Sequence, residues 1–466
     1  MRYLKLTGIL VLSVLLLSGC SGQEQQKDDK RITRFFKTGD KVVFVGNSIT
    51  NMGMFHNNIY LFHVTRFPDK PLEMFNKGVS GDVTGGVLDR MYDDILSENP
   101  TVAVMMLGMN DVRRWLYGPL ATTDEDTLRL RREAVAEYKT RMDSIVRLFL
   151  SKDVRVILER PTIYDQTALL PEKNHLGVND VLGECAVYID SLGKKYDLPV
   201  VDYYTIMNRI NLELQKADPS ATLTGQDRIH PGETGHLIMA YQFLKAEQVP
   251  KYVSRIIIDA EKQRAAKESE NCKTEKIKST DNGISFIVEE NALPFPVKKE
   301  QAEALRLVPF MQDMNVELLK VTGLSDGEYV LKIDDTVIDD FTGRELEEGV
   351  NLASYANTPQ MEQAAAIRSK LEELWGVEKL IRGMKFIEYM DAYKNYPKKD
   401  DLKAVYVYLD SLFSKKYQNP YYKNQLKKYL VNKPKEQELR EMTKKIRDTV
   451  YELAIPEAHS FKLTKR

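Results

Sequence analysis

Five residues scattered along the chain have types that together could carry out acyl transfer. They are Ser48 in "VGNSIT", Gly81 in "NKGVSGD", Asn110 in "LGMND", and Asp227 with His230 in "DRIHP". A serine hydroxyl is a weak nucleophile until a base within hydrogen-bond reach takes its proton, and that base needs a group to orient it. The histidines are His56, His63, His175, His230, His236 and His459. Only His230 follows an Asp by three residues on a loop that leads into a Pro-started helix. A carboxylate at that spacing can reach imidazole Nδ1, leaving Nε2 for the serine proton. Gly81 would let a ligand oxygen approach a backbone N–H, and Asn110 offers a side-chain amide, so both are candidate oxyanion donors. Taken singly, each has an ordinary explanation. Asp227 could cap a helix beside a surface histidine, Gly81 could make a tight turn, and Asn110 an Asx-turn.

What matters is where the elements place these residues. Strand candidates are "KVVFV" (41–45), "LEMFN" (72–76), "TVAVMML" (101–107), "VRVILE" (154–159) and "LPVVDY" (198–203). Each is short and apolar on both parities, as strands buried on both faces should be. Helical patterns alternate with them, including "TGGVLDRMYDDILSE" (84–98) and residues 128–150. This alternation predicts an α/β domain built on a parallel sheet, with sites outside the carboxyl ends of the strands. Ser48, Gly81 and Asn110 each follow a successive strand there.

The four blocks, in this order, resemble those of the SGNH hydrolases, also called the GDSL esterase/lipase family. "VGNSIT" matches the first block, with Ser48 as nucleophile. "NKGVSGD" and "LGMND" match the second and third, with Gly81 and Asn110 as oxyanion donors. "DRIHP" matches the last, with Asp227 and His230. The resemblance covers roughly residues 40–245 and implies a flavodoxin-like three-layer fold. It also implies ester hydrolysis through an acyl-enzyme, with no metal or cofactor. The first block has Asn47 and Ile49 where the family's name-giving motif has Asp and Leu. Neither position belongs to the triad.

The 466-residue chain has 67 Lys plus Arg against 68 Asp plus Glu, a net charge of −1 that argues against a nucleic-acid partner. It is 43% hydrophobic and 29% charged, as globular proteins are. Residues 1–20 read as a lipoprotein signal peptide. Arg2 and Lys5 precede the apolar run "ILVLSVLLL", and "LSGC" resembles a bacterial lipobox ending at Cys20. The run is shorter than the roughly 18 apolar residues that a spanning helix wants. Lipidation at Cys20 would anchor the protein to a membrane of the cell envelope, and residues 21–33 read as a flexible tether. Cys185 and Cys272 are expected as unpaired thiols.

The catalytic domain is expected over 34–250. Apolar and polar residues then alternate around turn signals, predicting a small antiparallel β module over 251–350. From Thr358 the pattern is helical, predicting a helical region over 351–466. The Tyr-rich stretch 389–429 is expected to pack helices together, with a sugar-binding surface as the alternative. "RRWLYGPL" (113–120) is expected to overhang the site, where Arg113 and Arg114 could meet an acidic sugar and Trp115 could stack on a ring. A cell-envelope esterase with accessory modules suits removal of acetyl groups from polysaccharides. The alternatives are a lipase, lysophospholipase or thioesterase, or a noncatalytic carbohydrate-binding lipoprotein.

Overall fold

The computed structural model describes residues 31–416 and 420–466. Its centre is a parallel sheet in the order β2-β1-β3-β4-β5. The strands are β1 (Lys41–Gly46), β2 (Glu73–Gly78), β3 (Val102–Met106), β4 (Arg155–Glu159) and β5 (Val200–Val201). Helices cover both faces: α1 (Ser48–Met52), α2 (Met54–Arg66), α3 (Thr84–Asp89), α4 (Glu125–Leu150), α5 (Val178–Tyr196), α6 (Tyr203–Ala217) and α7 (Glu233–Glu247). This is the flavodoxin-like three-layer arrangement. Val42 to Val45 are buried, as a run apolar on both parities requires. β5 stops after two residues because the Asp202 side chain turns to cap α6, accepting from the Thr205 N–H.

Register is what assembles the site. In the parallel ladders Gly46 stands opposite Gly78 on one side and Met106 on the other. The three strands end level, so the segments carrying Ser48, Gly81 and Asn110 leave the sheet at one edge. Two of these ends must be glycine. A Cβ on Gly46 would sit 2.2 Å from Thr50 Oγ1, and one on Gly78 would sit 2.2 Å from the Asn51 nitrogen. α1 therefore packs directly on the strand ends.

Beyond residue 250 the chain departs from the expected boundaries. β6 (Tyr252–Asp259) pairs in parallel with β10 (Val316–Thr322), so the module is not wholly antiparallel. That pair is flanked by the short β7 (Arg264–Ala265) and β13 (Val350–Asn351). A second sheet holds, in order, β12 (Thr336–Thr342), β11 (Glu328–Ile333), β14 (Ala458–Lys465), β9 (Gly283–Glu290) and β8 (Cys272–Thr280), and β14 comes from the C-terminal end. The helical region expected to reach residue 466 thus closes earlier, and the chain returns to the β module. His459, Phe461 and Leu463 are buried at alternate positions, and Phe461 stacks on Phe286 with centroids 5.4 Å apart. Residues 293–314 also leave the module, placing Leu293, Phe295 and Phe310 in the core of the α/β domain. Thr33, placed by the sequence in the flexible tether, is packed on the α/β domain instead, where it donates to the buried Glu247 carboxylate. The expected signal peptide, Cys20 and the rest of the expected tether, to residue 30, lie outside the described residues. No helix among the described residues is long and apolar enough to cross a membrane. Cys185 and Cys272 are free thiols.

The helical region comprises α8 (Pro359–Glu388), α9 (Leu402–Lys416), α10 (Pro420–Asn432) and α11 (Glu436–Val450). It covers the β2 edge of the parallel sheet, which would otherwise offer unpaired backbone. Arg382 of α8 donates Nε to the Gly78 carbonyl at 2.9 Å and holds both Asp94 oxygens, at 2.7 and 2.8 Å. Burial would raise the Asp94 carboxyl, but Arg382, Lys77 and Arg90 together hold it well below its ordinary range. Arg447 of α11 pairs with Glu378 of α8 beside the same strand. The tyrosines do pack helices: Tyr396 stacks on Tyr408 at 4.5 Å, and Tyr429 donates to Tyr393 at 2.9 Å.

Candidate active site

Ser48 is the first residue of α1, capped by the Asn47 side chain, which accepts from the Ile49 N–H. Its Oγ lies 2.7 Å from His230 Nε2, and His230 Nδ1 lies 2.5 Å from Asp227 Oδ2. The other Asp227 oxygen accepts from the N–H groups of Ile229 and His230, at 3.0 and 3.1 Å. Burial pushes the Asp227 carboxyl up, but the imidazole and those two N–H donors outweigh it and hold it at about 2. An ionised carboxylate on Nδ1 fixes the proton there and leaves the Nε2 lone pair facing Ser48.

The residue between Asp227 and His230 that sequence reasoning missed is Arg228. Its backbone is left-handed, with φ +66°. Its buried guanidinium donates to the carbonyls of Asp165, Ala168, Leu170 and Glu172, all at 3.0–3.1 Å. That one side chain ties the Asp227–His230 loop to the segment following β4. Nothing in the local sequence signals it, because all of its partners are backbone.

On the opposite side of Ser48, Gly81 has φ +80°, and a Cβ there would meet nothing within 4 Å. The Ser48 N–H, at the first helical position, has no intrahelical acceptor. Asn110 donates one amide hydrogen to the Asp82 carbonyl at 2.9 Å, which aims the side chain and leaves its second N–H. Asp111 fixes the same loop, accepting from the Thr84 N–H and hydroxyl at 2.8 and 2.7 Å and from the Gly108 N–H at 3.1 Å. The structure thus brings Ser48, Gly81, Asn110, Asp227 and His230 together at one sheet edge.

These groups open into a cleft of about 750 Å³. Its far wall comes from the helical region: Lys379, Leu380 and Phe386 of α8, with Tyr421, Gln425 and Lys428 of α10. The Tyr421 hydroxyl donates to Ser80 at 3.2 Å, next to Gly81. Of the three residues expected to overhang the site, Arg114 alone lines it. Arg113 adopts φ +53° and turns to Glu137 at 3.0 Å, while Trp115 is 73% exposed outside the cleft. A left-handed residue at 113 starts a tight turn over 114–116, and the sequence gives no sign of that reversal. A second cleft of about 470 Å³ lies between β2 and α11, lined by residues such as Glu378, Arg382 and Arg447, and holds no triad residue. No cluster of three or more metal-ligating side chains occurs among the described residues.

Comparison with known proteins agrees with this geometry. Residues 44–238 match the model of the GDSL-like Lipase/Acylhydrolase family. The solved structure of BT4096, a gut microbial diltiazem-metabolizing enzyme, is similar with a TM-score of 0.82 at 33% identity. That similarity covers 94% of this chain and 100% of the other. An acetylxylan esterase of Geobacillus stearothermophilus is 23% identical over 223 residues, which span 45% of this chain and 94% of that protein. With its fold, the level strand ends and these similarities, the chain belongs to the SGNH hydrolases, the GDSL-like lipase/acylhydrolase family, and is an ester hydrolase.

Proposed function

We propose that the protein is a carbohydrate O-acetylesterase that works through an acetyl-enzyme on Ser48. The observation that carries the mechanism is the continuous chain from Ser48 Oγ through His230 to Asp227, at 2.7 and 2.5 Å. Ser48 Oγ attacks the acetyl carbonyl while His230 Nε2 takes its proton. The oxyanion is met by the N–H groups of Ser48 and Gly81 and by the Asn110 amide, donors worth about 3–4 kcal/mol each in other serine enzymes. His230 gives its proton to the departing sugar oxygen. Water then attacks the acetyl-serine, losing a proton to His230, and acetate leaves as that proton returns to Ser48. Asp227 stays ionised throughout and stabilises the imidazolium.

Acetyl specificity draws support from one relative, an acetylxylan esterase. Met52 lines the cleft beside Ser48 and supplies apolar surface next to the nucleophile. Anchoring through Cys20 is part of the same proposal and is supported by the lipobox-like sequence alone.

The test measures kcat/KM on acetyl, butyryl and octanoyl p-nitrophenyl esters beside acetylated glycans, with Ser48→Ala as control. Activity should fall steeply after acetyl, and Ser48→Ala should lose both turnover and labelling by a fluorophosphonate probe. A lipase would gain with chain length, since each buried CH₂ favours binding by about 0.8 kcal/mol. A maximum at octanoyl would replace the deacetylase reading with the lipase one, and wild-type labelling of Ser48→Ala would remove Ser48 as nucleophile.

A further inference from the structure

The far wall of the cleft has one sign of charge. Lys379 and Lys428 line it, Arg114 lines the same cleft from the 113–120 loop, and no Asp or Glu lines the cleft. None of the three takes part in an ion pair among the described residues, although neighbouring lysines do. Lys370 pairs with Glu373, Lys385 with Glu388, and Lys433 with Glu388 and Glu436. The carboxylate that acts on Arg114 from a distance is Asp227, already engaged by His230 and two backbone N–H groups.

The helix backbone gives a second, independent sign. Gly376 and Gly383 both line the cleft from inside α8, seven residues apart and so on one face, with Lys379 and Leu380 between them. An interior glycine weakens a helix relative to alanine. A Cβ on Gly376 would meet no atom within 4 Å, so no packing neighbour demands glycine there. At Gly383 a Cβ would come within 2.9 Å of Gln425 Oε1, the end of another cleft side chain. Helix stability is given up on the side where a ligand would approach the backbone.

We propose that this wall is the subsite for the alcohol half of the ester and that the alcohol is an acidic saccharide. The substrate is an acetylated sugar carrying a carboxylate or sulfate. Lys379, Lys428 and Arg114 hold its charge, and its ring lies along the groove at Gly376 and Gly383. The inference rests on the deacetylase reading and names its substrate class.

The test compares mono-O-acetylated methyl glucoside, the matching glucuronide and the matching 6-sulfate, which differ only at one carbon. At low ionic strength the charged esters should exceed the neutral one in kcat/KM by about tenfold or more. That advantage should shrink toward unity in about 0.5 M salt, where the Debye length drops to a few ångströms. The double variant Lys379→Glu/Lys428→Glu should invert the order of neutral and charged substrates. Preference for the glucuronide alone, or for the sulfate alone, identifies which anion the site takes. Equal kcat/KM on all three with no salt effect would overturn the acidic-substrate inference and leave the esterase intact. Failure on all three and on p-nitrophenyl acetate would bring down the deacetylase reading itself, and this inference with it.

Discussion

Glu159 closes β4 with its carboxyl buried, 1% exposed, and with one hydrogen bond, from the Tyr203 hydroxyl at 2.7 Å. Burial pushes it from an ordinary 4.5 up to about 8, and the Tyr203 bond offsets only part of that. The folded state therefore keeps a proton that the unfolded chain releases near pH 4.5. Where the folded state binds the extra proton, stability falls as pH rises, by about 1.4 kcal/mol per pH unit. Between pH 4.5 and 8 the full cost is about 5 kcal/mol, a ceiling because any movement of the carboxylate toward water lowers it. His56 and His236 act in the opposite direction. Burial lowers them from 6.5 to about 4 and about 3, so below pH 6.5 the unfolded chain binds protons that the folded one refuses. With these three groups, wild-type stability should peak near pH 6.5 and decline above it. Glu159→Gln keeps the shape and an acceptor for Tyr203 but carries no proton to lose. Denaturant unfolding followed by circular dichroism, repeated from pH 4.5 to 8.5, should show the variant matching wild type at the acid end. It should gain at least about 2 kcal/mol, and up to about 5, at the alkaline end. A difference that does not change with pH would refute the assignment of a neutral Glu159.

Three further outcomes follow from the buried arginines and the N-terminus. Arg228→Met should lower kcat by about 10²-fold with a smaller change in KM, because the loop holding Asp227 and His230 loses its four carbonyl anchors; unchanged kcat would show that the loop holds itself. Arg382→Met should destabilise by about 3 kcal/mol, the low end for a broken buried pair, because Asp94 keeps Arg90 and Lys77. Its kcat should fall as well, since Gly78 precedes the Gly81 turn, and an unfolding midpoint equal to wild type would contradict the clamp. Cys20→Ser should move the protein from the membrane fraction to the soluble one or leave an uncleaved precursor. A mature-sized membrane form of that variant would end the lipobox reading.

Why half of this site was legible in the sequence and half was not comes down to range. Ser48, Gly81 and Asn110 each follow their own strand within a few residues, and Asp227 lies three residues from His230, so local order was enough to find them. The level strand ends then do the assembling, through ladder register that apolar runs imply. Arg114 lines the cleft, but Arg113 and Trp115 lie away from it because one left-handed residue reverses the turn. β14 is hard to read in the sequence because its eight alternating residues follow a long helical stretch, and only pairing with β9 and β11 gives them an address. The cleft wall is the instructive case. Helical periodicity shows that α8 has a buried face but not what that face meets, so Lys379 and Lys428 read as ordinary solvated lysines. One local clue did exist. In "LWGVEKLIRGMK" two glycines stand seven apart in an otherwise strong helix former, on a single face, with nothing nearby to turn or cap. A helix weakened twice on one face implies that something comes close to it there. In this fold the space beside that face opens onto Ser48.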